Sequence, residues 1–212
     1  MIAHSFYVVY LLLFGTSLIT FIESLRTPIP AIRHILNIET AVSLVAGMVY
    51  GLFVTMSQKE NFDIAAVTPI RYVDWAITTP MLLLVFLLFF NFYNRETLHA
   101  GDYGLVVLLN FVMLISGYLG ETGRIPRTPA CAIGFVAFAA MVGVIYTRFL
   151  HGAARRDLLA VFIAFVVIWS AYGVAFMLPV TEKNLAYNVL DTISKVFLGL
   201  FMWVYYGKVL TV

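Results

Sequence analysis

The sequence is poor in charge and in cysteine. Only 11% of its 212 residues are charged, whereas a soluble domain carries about 25%. Cys131 is the single cysteine, so no internal disulfide can form. Hydrophobic residues make up 62% of the chain, and the net charge of +2 is too weak to favour a nucleic-acid partner. These scarcities exclude a soluble domain and indicate an integral membrane protein.

The apolar residues are collected in runs of about 20, the length that crosses a bilayer as a helix. The runs are continuously apolar, whereas the strands of a membrane barrel alternate with a period of two. The sequence therefore predicts an all-α protein whose one domain, residues 1–212, contains seven spans. We expect them at about 5–25, 38–57, 66–92, 102–120, 129–149, 158–178 and 186–208.

The distribution of lysine and arginine predicts the orientation, because cytoplasmic loops carry an excess of these residues. One set of loops, with the carboxyl-terminal tail, contains Arg26, Arg33, Arg95, Arg148, Arg155, Arg156 and Lys208. The other set contains Lys59, Arg124, Arg127 and Lys183. We therefore expect the amino terminus outside and the carboxyl terminus in the cytoplasm.

Lys195 is a lysine in the middle of the apolar seventh span. An ammonium group at the centre of a bilayer costs about 3 kcal/mol or more, so it must be paired, line water or be chemically modified. Asp191 precedes it by four residues and shares its helix face. A lysine amine beside a carboxylate suits a protonated imine with an aldehyde, because lysine is the usual Schiff-base nucleophile.

The third span adds two more charges, Arg71 and Asp74, which lie on one face with Thr78. With Lys195 and Asp191 they can form a neutral cluster of two cations and two anions, as buried charges require. A purely structural ion-pair network is the alternative. Aromatic side chains could box a flat apolar ligand, although each taken alone is more often ordinary core: Trp75, Trp169 and Tyr172.

Three segments carry a resemblance to the microbial (type 1) rhodopsins, and to the bacteriorhodopsin group in particular. Residues 71–80, RYVDWAITTP, resemble the third-helix signature of the family. Residues 169–172, WSAY, resemble its sixth-helix signature, and 191–195, DTISK, resemble its retinal-attachment signature. The resemblance covers nearly the whole chain and implies a seven-transmembrane-helix bundle with a buried retinal pocket. It implies a photoreceptor rather than an enzyme, and no metal site.

The resemblance also implies roles for individual residues. All-trans retinal would form a Schiff base with Lys195, Asp74 would be the counterion and proton acceptor, and Asp191 the second counterion. Thr78 would hydrogen-bond Asp74, and Arg71 would move with the charge. Leu82 occupies a place that tunes colour, where leucine favours green absorption. The implied retinal-contacting residues are Trp75, Thr79, Leu82, Trp169 and Tyr172, with Tyr50 below the counterions.

The chain departs from the pump pattern on the cytoplasmic side. Pumps of the family usually carry an acid eleven residues after the counterion, where this chain has Val85, which cannot hold a proton. Glu39, with Ser43 one turn deeper, could compensate as a proton relay or an ion gate. The alternative for Glu39 is a helix amino-terminal acid stabilised by the helix dipole.

Short loops and the segment 36–40, LNIET, resemble the rhodopsins of giant algal viruses. We expect a light-driven outward proton pump. A light-gated cation channel, or a sensory rhodopsin that signals through a separate transducer, is the alternative. The implied partners are the lipid bilayer, protons or monovalent cations, and further copies of the chain in a pentamer or trimer.

Overall fold

The computed structural model describes residues 2–150 and 156–206, with the side chains of 156 and 157 excepted, and contains no strand in those ranges. Seven of its helical segments are long and apolar enough to cross a membrane. The predicted all-α class with seven spans is therefore confirmed. Arg155, Lys208 and the predicted end of the seventh span lie outside the described residues. The helices are α1 (Ile2–Arg26), α2 (Pro30–Ser57), α3 (Val67–Asn94), α4 (Ala100–Glu121), α5 (Arg127–Ile145), α6 (Arg156–Phe176), α7 (Val180–Asp191) and α8 (Leu198–Val204).

Helix α2 begins about two turns earlier than the apolar run predicted. Pro30 takes the first helical position, which suits proline because an amide hydrogen there would have no partner within the helix. Arg33, which we expected in a loop, therefore lies in the first turn, and its Nη2 donates to the carbonyl oxygen of Thr27 at 3.0 Å. Arg33 and the adjacent His34 lower the local hydropathy, so this helix start was not predicted.

The seventh span also starts early, at Val180. Lys183, which we expected in an outer loop, lies instead in α7 and is fully buried, as is the neighbouring Asn184. The loop assignment was wrong because the polar side chains of this segment face the protein interior rather than water. Lys183 therefore does not count among the loop cations.

The chain divides into two compact units, and the first comprises residues 1–82 and 180–212. In this unit α1 packs along α2, and both contact the seventh span. Small residues allow the close approach, since a Cβ atom on Gly47 would lie 2.9 Å from Cε2 of Phe14. The same atom on Gly51 would lie 3.1 Å from Cε2 of Tyr10. The expectation of a single domain over 1–212 stays a prediction.

The second unit comprises Leu83–Pro179. Here α4 packs along α5, and α5 contacts α6. The hydroxyl of Ser116 donates to the carbonyl oxygen of Ala130 at 2.6 Å, which ties α4 to α5. Phe165 stacks on Phe86 with ring centroids 4.5 Å apart, so this unit is held by aromatic packing and contains few buried charges.

Candidate functional site

Lys195 lies in a π-helical segment, Thr192–Phe197, which joins α7 to α8 within the seventh span. Its side chain is only 1% exposed. The Nζ atom lies 2.6 Å from Oδ2 of Asp74 and 3.6 Å from Oδ1 of Asp191. Single π turns are found often at functional sites, and nothing in the apolar pattern predicted this one.

Asp74 is held by α3 and has one oxygen committed to the lysine. Its Oδ1 is buried and has no hydrogen-bond partner among the described residues. The hydroxyl of Thr78 donates to the main-chain carbonyl of Asp74 at 2.9 Å, and not to the carboxylate as the resemblance implied. A threonine in a helix readily bonds the carbonyl four residues earlier, which accounts for the difference. Asp74 therefore keeps an oxygen able to accept a further hydrogen bond.

Asp191 is bonded more completely. Its Oδ2 accepts from the hydroxyl of Tyr50 at 2.8 Å and from Nη1 of Arg71 at 3.2 Å. Its Oδ1 accepts from the indole nitrogen of Trp75 at 3.3 Å. These donors stabilise the charged form of Asp191, so the two carboxylates beside Lys195 have unequal surroundings.

Arg71 is buried and fixed by neutral amides as well as by Asp191. Its Nε donates to Oδ1 of Asn184 at 2.9 Å, and its Nη2 donates to Oδ1 of Asn188. Asn188 in turn donates to the hydroxyl of Ser5 at 2.7 Å. Both asparagines and the serine were not predicted as site residues. The signal was available, because residues 184, 188, 191 and 195 are spaced by four, three and four and share one face of the seventh span.

The structure thus brings together the four predicted charges, each at most 2% exposed. Two cations and two anions balance, which offsets the large cost of burying each charge separately. Removing any one of the four would leave an uncompensated charge. A structural ion-pair network and a chromophore site would both have this geometry. The two alternatives differ in whether Lys195 is covalently bonded to a chromophore.

The remaining predicted residues fall in both units. In the first, Tyr50 and Trp75 contact Asp191 as described, and the hydroxyl of Thr79 donates to the carbonyl of Trp75 at 2.6 Å. Leu82 is buried. In the second, Trp169 and Tyr172 are half-buried, with ring centroids 6.3 Å apart.

Glu39 is the tenth residue of α2, which has no acid in its first turn. The interpretation of Glu39 as a helix amino-terminal acid is therefore wrong. The side chain is fully buried, and neither carboxyl oxygen has a hydrogen-bond partner among the described residues. A buried polar group without a partner is costly, so this side chain needs an explanation other than the helix dipole.

Residues 1–209 match the sequence profile of the bacteriorhodopsin-like protein family. The chain belongs to this family. It is 30% identical over 152 residues to the green-light absorbing proteorhodopsin of Gamma-proteobacterium EBAC31A08, a match that covers 64% of this chain and 60% of the relative. It is 27% identical over 145 residues to sensory rhodopsin-2 of Natronomonas pharaonis, covering 61% of this chain and 58% of the relative. The chain thus spans about three fifths of the length of these relatives.

Among solved structures, the viral rhodopsin OLPVRII superposes with a TM-score of 0.92 at 37% identity, and the match covers 98% of both chains. The resemblance to microbial rhodopsins is therefore confirmed, and the relatives are photoreceptors, pumps and sensors rather than enzymes. The protein is an integral multi-pass membrane protein.

Members of this family bind retinal, and the buried residues fit that group. An imine formed on a lysine keeps one N–H when protonated, and that single donor needs one acceptor at close range. Oδ2 of Asp74 supplies it at 2.6 Å from the lysine nitrogen. Asp191 supplies a second negative charge, so a permanent cation at this nitrogen would be balanced.

Proposed function

We propose that this rhodopsin is a light-driven outward proton pump, with retinal attached to Lys195 and with Asp74 as the proton acceptor. The observation that carries the proposal is the buried 2.6 Å contact between Nζ of Lys195 and Oδ2 of Asp74. A proton on that nitrogen is already within hydrogen-bond reach of the carboxylate.

Lys195 would hold retinal through its amine, and the bound group would supply light absorption and photoisomerisation. The two carboxylates hold the positive charge on the nitrogen in the dark. When Asp74 takes the proton, the Lys195–Asp74 pair becomes neutral, while Arg71 still balances Asp191 at 3.2 Å. The cluster therefore stays electrically neutral before and after the transfer, which keeps the barrier low in a buried site.

The outward half of the path begins at Arg71 and its amide partners. Asn184 and Asn188 fix the guanidinium, and Asn188 continues to Ser5 near the start of α1. Proton release from Asp74 toward the outside would pass this group of hydrogen bonds, and any movement of Arg71 must break its bonds to the two amides. We propose that Asn188 and Ser5 line the exit.

The cytoplasmic half depends on Glu39. Val85 is fully buried and has no ionisable group, so the residue at the usual proton-donor position on α3 cannot donate a proton. Glu39 is the buried acid that we propose as the proton store for reprotonation of the Lys195 nitrogen. An unpaired carboxylate in such surroundings is costly, which favours the neutral acid in the dark.

The other predicted residues complete the proposal. Trp75, Thr79, Trp169 and Tyr172 would contact retinal, as the family resemblance implies. Leu82 would favour green absorption, as the family resemblance implies. We also propose the amino terminus outside, the carboxyl terminus in the cytoplasm and assembly as a pentamer or trimer.

Light-driven acidification tests the pump. Cells or vesicles that contain the protein with retinal should acidify the outer medium when illuminated, and a protonophore should abolish the signal. Asp74→Asn should remove the acidification, while Asp63→Asn, which alters an exposed acid that caps the short helix at Ile64–Ala66, should not. Alkalinisation, or acidification retained by Asp74→Asn, would contradict the proposal.

A light-gated cation channel is the second candidate, because the Glu39 carboxyl group lies near Thr16 and Thr20 of α1, whose buried hydroxyl groups could pass ions. Patch-clamp recording under illumination separates the two functions. A pump produces outward current at zero driving force, whereas a channel produces current that reverses at the cation equilibrium potential. A sensor that signals through a separate transducer produces neither.

A further inference from the structure

Four hydroxyl side chains form a buried row along α1 and its end. Thr16, Thr20, Ser24 and Thr27 follow one another at spacings of four, four and three, which places them on one helix face. Each is at most 4% exposed. The row covers about 16 Å at a rise of roughly 1.5 Å per residue, from the middle of the helix to its predicted cytoplasmic end.

Helix α2, in the same unit as α1, has three buried polar side chains: Glu39, Thr40 and Ser43. Both oxygens of Glu39 and the hydroxyl of Ser43 lack a hydrogen-bond partner among the described residues. Groups of this kind are typically satisfied by buried water, which can also carry protons.

The two sets meet at Gly199 in α8. A Cβ atom on Gly199 would lie 2.8 Å from Cγ2 of Thr16, 3.5 Å from Oε2 of Glu39 and 3.8 Å from Cγ2 of Thr20. The glycine therefore leaves room for the Glu39 carboxyl group beside the hydroxyl row. This juxtaposition places the buried acid near Thr16 and Thr20, at the inner end of the hydroxyl row.

Thr20 and Thr40 join α1 to α2 through their hydroxyl oxygens, which are 2.8 Å apart. Each hydroxyl also has an alternative acceptor: Thr20 can donate to the carbonyl of Thr16 at 3.0 Å, and Thr40 to that of Leu36 at 2.8 Å. Each has only one hydrogen, so the pair has two states of opposite hydrogen-bond direction. Reversal between such states is what passes a proton along a chain of hydroxyl groups.

We infer that protons reach Glu39 from the cytoplasm between α1 and α2. Transfer through the Thr20–Thr40 pair limits the rate at which protons arrive. A hydronium ion gives its proton to one hydroxyl as the pair releases another proton inward. Glu39 changes from carboxylate to acid, the hydronium becomes water, and both threonines stay neutral with reversed bonds. The inference rests on the proposed function for the direction of proton flow.

Hydroxyl groups in membrane helices also bond to their own backbone for purely structural reasons, and the experiment must exclude that role. The measurement is the exchange of the Glu39 proton with heavy water in the dark, followed by the isotope shift of the carboxylic-acid C=O infrared band. Glu39→Gln identifies the band by removing it. The exchange requires neither light nor pumping.

Thr20→Val and Thr40→Val should each slow the exchange about tenfold, which corresponds to about 1.4 kcal/mol and to the loss of one hydrogen bond. Thr20→Ser and Thr40→Ser keep the hydroxyl and should restore the rate, which excludes a folding defect. The matched control is Thr55→Val, because Thr55 is an exposed residue of α2 whose hydroxyl bonds the carbonyl of Gly51 at 3.0 Å. It should exchange as the wild type does.

Unchanged exchange in both valine variants, or a wild type without a band assigned to Glu39, would overturn the inference. Failure of the pump gives a different pattern. If the protein does not acidify the medium but Thr20→Val exchanges slowly, the uptake route is supported and the pump is contradicted. If the protein pumps protons and both valine variants exchange at the normal rate, the pump is supported and the uptake route through Thr20 and Thr40 is contradicted.

Discussion

Arg71 donates from Nη1 to Oδ2 of Asp191 at 3.2 Å, and the hydroxyl of Tyr50 lies 2.9 Å from the same nitrogen. The arginine is thus tied to the second carboxylate, while Lys195 contacts Asp74 at 2.6 Å. Since Nζ of Lys195 also lies 3.6 Å from Oδ1 of Asp191, the four charges form three ion pairs within one buried network. Each pair can be tested by removing one charge or one hydrogen bond.

Replacing Arg71 by glutamine leaves one buried cation between two carboxylates. We expect one carboxylate to take up a proton in the dark, because an unbalanced buried negative charge is costly. Protonation of Asp74, whose Oδ2 lies 2.6 Å from Nζ of Lys195, would weaken the negative field at the chromophore and should move the visible absorption of the retinal-loaded protein to longer wavelength at neutral pH. A spectrophotometric titration measures this shift.

The control for Arg71→Gln is Arg127→Gln, which removes a half-exposed arginine that lies 3.9 Å from Glu121. Its absorption should match that of the wild type at every pH. If the spectrum of Arg71→Gln also stays at the wild-type position across the titration, Arg71 does not balance the carboxylates.

Removing the hydroxyl of Tyr50 should destabilise the protein. Tyr50→Phe takes one donor from Asp191 and one acceptor from Arg71 in a fully buried site, which should cost about 1–3 kcal/mol. Tyr7→Phe is the matched control, since Tyr7 is 52% exposed on α1. Thermal unfolding in detergent measures the difference, and equal stability of the two variants would refute the predicted role of this hydroxyl.

Gly120 is required where α4 packs on α5. A Cβ atom there would lie 2.5 Å from Cβ of Ala130, an atom that cannot move away without its helix. Gly120→Ala should therefore lower stability by about 1–3 kcal/mol through overpacking. Gly104→Ala on the same helix meets nothing within 4 Å and should be neutral or stabilising by up to about 1 kcal/mol. Unfolding measurements that rank the two variants in the reverse order would contradict this packing.

The sequence was sufficient for the fold and for the charge cluster. Seven apolar runs predicted the seven spans, and the cost of burying a lone charge predicted that Lys195, Asp74, Asp191 and Arg71 would meet. Helix starts were harder, because Arg33 and Lys183 make helical turns resemble polar loops. Hydropathy averages over all faces of a helix and cannot tell a polar side chain turned toward the protein from one turned toward water.

Two features of the site depend on local backbone geometry. The π turn around Lys195 has no characteristic amino-acid composition, so the pattern of apolar residues could not predict it. The bond from Thr78 to the main chain competes with a bond to the Asp74 carboxylate, and sequence alone does not decide between them. The spacing of the asparagines that hold Arg71 places them on the same helix face as Asp191 and Lys195, so both could have been predicted from the sequence.

In the proposed pump, Asp74 takes the proton from the nitrogen of Lys195. The most direct measurement is the light-minus-dark infrared difference spectrum of the retinal-loaded protein in the carboxylic-acid C=O region. We expect a positive band in the wild type and in Asp63→Asn, and its loss in Asp74→Asn. A band that persists in Asp74→Asn and is lost in Asp191→Asn would contradict the proposed role of Asp74, because it would make Asp191 the acceptor.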